Sequence, residues 1–157
     1  MDDAVARVRR ALLAHDHADT IVAFPDGTRT ATDAAAAIGC TVAQIAKSIV
    51  FRAGEQAVVV IASGANRVDK RLAGEALDLK LAPAGPEFVL AGTGFAAGGV
   101  SPVGLLGSPR LLLDEDLLAL DPVWAAAGSP NHVFETTARA LLKLTGATVA
   151  RIRQNLA

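Results

Sequence analysis

Three features of this 157-residue chain have residue types and spacing suited to chemistry: Lys47, His132 and the run Gly98-Gly99-Val100-Ser101-Pro102-Val103-Gly104. Glycine admits a positive φ and the close approach of other groups. Proline fixes its own φ and restricts the residue before it. Such a run can aim main-chain N–H groups at one point, where they would bind an anion or a carbonyl oxygen. It can equally be a tight loop joining two buried strands. Lys47 precedes the apolar run Ser48-Ile49-Val50-Phe51. An ammonium there can bind a phosphate or polarise a carbonyl, or its stem can lie on apolar surface with the head in water. His132 follows the turn Gly128-Ser129-Pro130-Asn131. An imidazole at such a junction could contact a substrate, act as a base, or be satisfied at a strand edge.

Other chemistries find little support. Ser101 and Ser129 each sit beside a proline, and neither has the Gly-x-Ser-x-Gly pattern of a strained nucleophile turn. Cys40 is the single cysteine, which excludes an intrachain disulfide and a multi-cysteine zinc site. It reads as a small buried side chain. His15, His17 and His132 lack ligand spacing, and there is no phosphate-loop or dinucleotide fingerprint, so no metal or cofactor is expected. Asp114 and Asp116 read as helix-capping charge rather than an acid/base dyad.

Composition narrows the class. Hydrophobic residues are 52%, charged residues 20% and aromatic residues 4%, which suits a soluble globular domain without an aromatic platform for stacking bases. The net charge of −1 demands no basic nucleic-acid face. Lys47, Arg52, Arg67, Lys70, Arg71 and Lys80 could still form a local patch, or be ordinary solvated surface. No stretch reaches the roughly 18 apolar residues of a membrane span. Met1-Asp2-Asp3 does not open a secretory leader, and a cytoplasmic location is expected.

The elements that must position these residues are short. A helix over 4–14 carries Val5, Val8, Leu12 and Leu13 inward and Arg7, Arg9 and Arg10 outward. A strand over 20–24 leads to a turn at Pro25-Asp26-Gly27. Thr32 or Asp33 caps a helix over 34–38 that Gly39 ends, and Thr41 caps a second helix over 42–47 that turns Ile45 and Ile49 inward together. Residues 57–62 read as a buried strand. Helices are expected from Asn66 or Asp69 to about 77 and from Pro86 to 90. Strands are expected over 110–113, 123–126, 132–135 and 149–152. A short helix runs from Asp114 or Asp116 to 120, and another from Thr136 or Thr137 to 144. The pattern predicts one domain over 1–157 of mixed α/β (α+β) type, without regular βαβ alternation.

Taken in order, Thr41-Val42-Ala43-Gln44-Ile45-Ala46-Lys47-Ser48-Ile49-Val50-Phe51, the strand 58–62, the 98–104 loop and Gly128-Ser129-Pro130-Asn131-His132 resemble the YbaK/prolyl-tRNA-synthetase-associated domain family of aminoacyl-tRNA editing enzymes. The resemblance spans about 20–152. It implies a curved, mostly antiparallel sheet flanked by helices, and hydrolysis of the ester of a mischarged tRNA, usually that for proline. Lys47 matches a family lysine that holds the 3′-terminal nucleotide near its phosphate. Gly98 and Pro102 match a Gly-x-x-x-Pro loop whose N–H groups orient the ester; Gly99, Val100 and Ser101 lie between them. His132 resembles a histidine that shapes the amino-acid pocket in some members, with Gly128 beside it. Ile45, Val60 and the loop would line a small pocket that excludes the larger, correct amino acid.

On this reading the chain is a trans-editing deacylase, with a water attacking the ester and no protein nucleophile. Its partners are a tRNA acceptor end and a synthetase on which it docks. The alternative is a non-catalytic module that holds a tRNA end or a synthetase. A small-molecule esterase lacks its nucleophile.

Overall fold

The computed structural model describes residues 3–28 and 30–155. Met1 and Asp2, on which the reading of the leader rested, lie outside them. In chain order the elements are α1 (Ala4–Ala14), β1 (Ile21–Ala23), α2 (Ala31–Ile38), β2 (Ile45–Ala53), β3 (Gln56–Ser63), α3 (Lys70–Leu77), β4 (Ala82–Pro83), α4 (Pro86–Thr93), β5 (Arg110–Asp114), β6 (Val123–Ser129), β7 (His132–Thr136), α5 (Ala138–Thr145) and β8 (Thr148–Ala150). Short 3-10 turns lie at Val42–Gln44 and Glu115–Ala119.

One mixed sheet of eight strands organises the chain, in the order β1-β7-β6-β2-β3-β5-β8 with β4 added to β2. The longest ladder is the antiparallel β2–β3 hairpin, in register from Ala46 opposite Ser63 to Ala53 opposite Gln56. β1–β7, β6–β7 and β2–β4 are also antiparallel. β2–β6, β3–β5 and β5–β8 are parallel. The mostly antiparallel α+β sheet flanked by helices is the architecture expected.

Strand alternation divides the core into two faces. Ala46, Val59, Ile61, Leu113, Ala125, Ala127 and Phe134 pack with Val8 and Leu12 of α1 and Leu141 of α5. Val58, Val60, Ala62 and Leu112 pack on the other face with Ala73 and Leu77 of α3. A smaller cluster of Ala34, Ala35 and Ile45 lies under α2, with Trp124 against it.

The largest departure from expectation concerns residues 42–47. Thr41 and Gln44 do pair, the Thr41 N–H donating to Gln44 Oε1 at 3.0 Å, but only one 3-10 turn follows. Ile45 already belongs to β2. The β-branched and aromatic residues of 45–51 favour a strand, and a full antiparallel ladder with β3 overrides the local capping signal. Lys47 is therefore a strand residue, not the end of a helix. Elsewhere, α2 starts at Ala31 because the Thr30 hydroxyl accepts from Asp33 N at 3.0 Å, upstream of the caps expected. Asp69 caps α3, Thr137 caps α5 and Asp114 caps the turn at 115–119. β4 had no sequence signal, its two residues being Ala82 and Pro83.

Candidate functional site

The site begins as a split in the sheet. β6 pairs with β2 only at Ile45–Trp124 and Ala46–Ala125. β4 takes the same edge of β2 only at Phe51 and Arg52. Between them, residues 47–50 have no strand partner on that edge among the described residues. β6 leaves because its pairing with β7 slips between Ala126 and Ser129. Gly128, at φ +97, sits so close to α1 that a Cβ there would lie 2.8 Å from the Ala4 backbone.

A cavity of about 130 Å³ fills the split, lined by Ile45, Ala46, Lys47 and Ser48 of β2, Gly98 and Val100 of the loop, and Trp124, Ala125 and Ala126 of β6. Thr28, Thr30, Ala31, Ala34 and Val133 complete it. That is well below the ~300–1,000 Å³ of pockets for drug-sized ligands. A larger recess beside α3, of about 500 Å³, takes Lys70, Arg71 and Lys80 into its lining together with Glu75 and Asp78, and contains neither Lys47, His132 nor any loop residue.

The loop is held from three sides. Gly98 has φ +92, the left-handed region that glycine tolerates. Gly99 packs on the β6–β7 turn, where a Cβ would lie 3.0 Å from Ser129 Cα. Arg7 of α1 donates from Nε to Gly104 O at 2.8 Å and from a terminal nitrogen to Gly94 O at 2.6 Å, with its guanidinium 4.4 Å from the centre of the Phe95 ring. Arg7 thus turns onto the loop rather than outward as expected. Inside the loop, Val103 N donates to Ser101 Oγ at 3.2 Å. Val100, Ser101 and Pro102 are buried. The N–H groups of Val100 and Ser101 meet no acceptor among the described residues. Rigid, unpaired donors of this kind can stabilise negative charge developing on a carbonyl oxygen.

Lys47, which lines the cavity with Gly98 and Val100, begins a charged strip. Burial, then repulsion from Arg67, holds the Lys47 ammonium below its ordinary pKa, while Asp114 pulls it back up. Asp114, at the end of β5, is 1% exposed. Its carboxylate accepts from Ser63 N at 3.0 Å, Asn66 Nδ2 at 2.8 Å and Asp116 N at 2.9 Å. Asn66 also reaches Asp116, which pairs with Arg153 at 2.7 Å. Arg67 is exposed nearby. A half-buried ammonium with an arginine beside it suits a phosphate oxygen.

The structure brings Lys47, Ile45, Gly98 and Val100 to one cavity. It does not bring Val60 there. Val60 is paired with Ile49 and so shares a sheet face with Lys47, but it is fully buried in the α3 cluster and does not reach the cavity. Gly99, Ser101 and Pro102 support the loop without lining the cavity. Gly128 shapes the β6 bend, and His132 stands one residue before the lining residue Val133, its Nδ1 2.6 Å from Ser129 Oγ. Sequence reading missed Arg7, Ser48 and the buried position of Asp114. Only the last had a local signal, an acidic residue closing the apolar run 111–113. Burial pushes the Cys40 thiol above its ordinary pKa, so it is a poor nucleophile. Among the described residues no group of three or more His, Cys, Asp or Glu could hold a metal ion, and no helix is long and apolar enough to cross a membrane.

The site is thus a small cavity at a sheet split, with residues of a glycine-proline loop and a lysine in its lining. The model of the aminoacyl-tRNA editing domain family matches residues 25–144, and the chain belongs to that family. Its role is therefore in aminoacyl-tRNA editing. It is 34% identical over 122 residues to the uncharacterized protein YwhH of Bacillus subtilis (strain 168), covering 77% of this chain and 78% of that protein. A crystal structure described provisionally as a trans-editing enzyme for prolyl-tRNA synthetase is 42% identical, with TM-score 0.91 over 99% of both chains. The structure of hypothetical protein APE2540 is 27% identical, with TM-score 0.87 over 94% of this chain and 99% of its own.

Proposed function

We propose that the protein hydrolyses the ester between a small, wrongly attached amino acid and the 3′ end of a tRNA, acting in trans. The observation that carries this reading is that Lys47 and the loop residues Gly98 and Val100 line one cavity sized for a small side chain. The Lys47 ammonium would hold the phosphate of the terminal nucleotide. The N–H of Val100, the loop residue that lines the cavity beside Gly98, would take the ester carbonyl oxygen. A water adds to the carbonyl carbon, assisted by the free ribose hydroxyl. The ester C–O bond then breaks, and the departing ribose oxygen takes up a proton. The products are the free amino acid and an intact tRNA. No side chain needs to become covalently attached, and catalysis rests on positioning and oxyanion stabilisation.

The family and the similarity to a trans-editing structure support tRNA for proline as the carrier and prolyl-tRNA synthetase as a docking partner. A net charge of −1 also favours borrowed affinity, since a tRNA binder acting alone relies on many phosphate contacts.

The test is a deacylation panel of alanyl-, cysteinyl- and seryl-tRNA for proline. The native protein is expected to release at least one of these amino acids and to spare prolyl-tRNA. Lys47→Ala is expected to lower kcat/KM by roughly 10- to 100-fold, the scale of one hydrogen bond to a charged group. Absence of turnover on the whole panel overturns the deacylase reading and favours a binding module. Full activity in Lys47→Ala overturns the role given to the lysine.

A further inference from the structure

Among the described residues three hydroxyl side chains line the cavity: Thr28, Thr30 and Ser48. Two are already engaged. Thr28 Oγ1 donates to Pro130 O at 2.9 Å, and Thr30 Oγ1 accepts from Asp33 N at 3.0 Å. Ser48 Oγ is buried and has no hydrogen-bond partner among the described residues. Such an orphan is unfavourable in a native structure and calls for an explanation. Ser48 sits in the unpaired stretch of β2, next to Lys47, and shares its strand face with Ala46. Its single χ1 torsion can carry the hydroxyl among three staggered positions.

The chemistry of an aminoacyl ester decides which of its groups would come here. The carbonyl oxygen is claimed by the loop N–H donors. The α-ammonium is a cation, and burying it without an anion is costly. Among the described residues no Asp or Glu lines the cavity, and the one charged lining residue is itself cationic, Lys47. The ammonium therefore stays toward solvent, and the neutral side chain enters the closed part of the cavity. There Ala46, Val100 and Ala125 are buried apolar neighbours. A methyl side chain would leave Ser48 unpaired. A side chain ending in a hydroxyl would satisfy it.

We infer that Ser48 is a specificity-determining residue, and that its hydroxyl makes the site prefer a small hydroxylated aminoacyl group, seryl over alanyl. This deepens the deacylase reading and rests on it. A site built to pair with a hydroxyl discriminates against an analogue lacking it more strongly than size alone can.

The test compares the native protein, Ser48→Ala and Ser48→Thr. Hydrolysis of seryl- and alanyl-tRNA supplies one readout. Binding of stable 3′-serylamido and 3′-alanylamido deoxyadenosine analogues supplies a second that needs no turnover. The native protein is expected to favour the seryl member of each pair. Ser48→Ala is expected to reduce that preference about tenfold, the scale of one neutral hydrogen bond, the seryl values falling by more than the alanyl ones. Ser48→Thr, which keeps the hydroxyl, is expected to retain the preference. The ligand-free Ser48→Ala protein is expected to unfold at the same or a higher temperature, since it loses only an unpaired hydroxyl.

Equal seryl and alanyl values in the native protein overturn the inference, as does an equal loss on both substrates in Ser48→Ala. If that happens while either tRNA is hydrolysed, the deacylase reading stands without it. If neither tRNA is hydrolysed but the analogues still separate through Ser48, the deacylase reading fails and the recognition role survives.

Discussion

The cavity takes Gly98 and Val100 from the 98–104 loop, and it takes Lys47 from a strip of charge that continues outside it through Asp114 to Arg153. The loop offers main-chain donors whose positions are set by a positive φ at Gly98, by the contact of Gly99 with Ser129 and by the Arg7 clamp. Nothing in the loop needs to gain or lose a proton to work. The strip is made of side-chain charges, and its anchor, Lys47, has a proton affinity set by burial, Arg67 and Asp114. The contrast separates two kinds of control. Perturbing the loop should change how fast a bound ester reacts, with no change in pH dependence. Perturbing the strip should change how tightly a phosphate is held and at which pH.

The largest effect that would sharpen this contrast is expected from Gly99→Ala. The new Cβ would press on Ser129 Cα at 3.0 Å and on Gly128 O at 3.3 Å, both backbone atoms. A displacement of about 1 Å in a positioned group can cost on the order of 10² in rate. The expected result in deacylation kinetics is a kcat lower by one to two orders of magnitude, with KM and the pH profile held. A shift confined to KM would break the assignment of the loop to catalysis.

Arg7→Ala should come next. It removes two hydrogen bonds to carbonyls and the stacking on Phe95, and a charged hydrogen bond contributes about 1.5–3 kcal/mol. Denaturant unfolding should show a loss of that order, and kcat should fall by about tenfold. Arg7→Lys should rescue little, because one ammonium cannot span two carbonyls as the planar guanidinium does.

On the strip, Asp114→Asn and Arg67→Ala should act in opposite directions. Because Lys47 sits below its ordinary pKa, phosphate binding should weaken as pH rises through that lowered value, earlier than for a free lysine. Asp114 raises the Lys47 pKa, so its neutralisation should move the alkaline rise in KM to lower pH. Arg67 lowers it, so Arg67→Ala should move the rise to higher pH. Shifts in the same direction would break the electrostatic account.

The smallest effect belongs to Arg153→Ala. Hydrogen bonds from Arg153 and then Asn66 hold the Asp116 carboxyl below its ordinary pKa. The pair therefore stabilises the fold above the usual carboxylate range and fades as pH falls through the lowered value. Acid unfolding of Arg153→Ala should show that dependence reduced, with neutral-pH kinetics unchanged.

Local signals were legible wherever a residue's own geometry was at stake. The Asp69 and Thr137 caps, the glycine at the end of α2, Pro86 at the start of α4 and the glycine-proline loop all announce themselves over a few residues. The helix expected over 42–47 failed because the deciding partner, β3, lies outside the window in which the Thr41–Gln44 pair is read. Val60 was misplaced for a related reason. A run of β-branched residues identifies a buried strand but not what covers each of its side chains, and α3 covers Val60.

By itself the sequence determined the short elements, the rigid loop, the family and the pairing of a lysine with that loop as the features to watch. These follow from dihedral limits, periodicity and motif order, which are properties of neighbouring residues. Only the tertiary structure decided that β2 and β6 part after Ala46 and Ala125, that Arg7 clamps the loop, and that Ser48 lies buried without a partner among the described residues. Each of these arises from residues distant in the chain competing for the same edge or volume, a competition that no local stretch encodes.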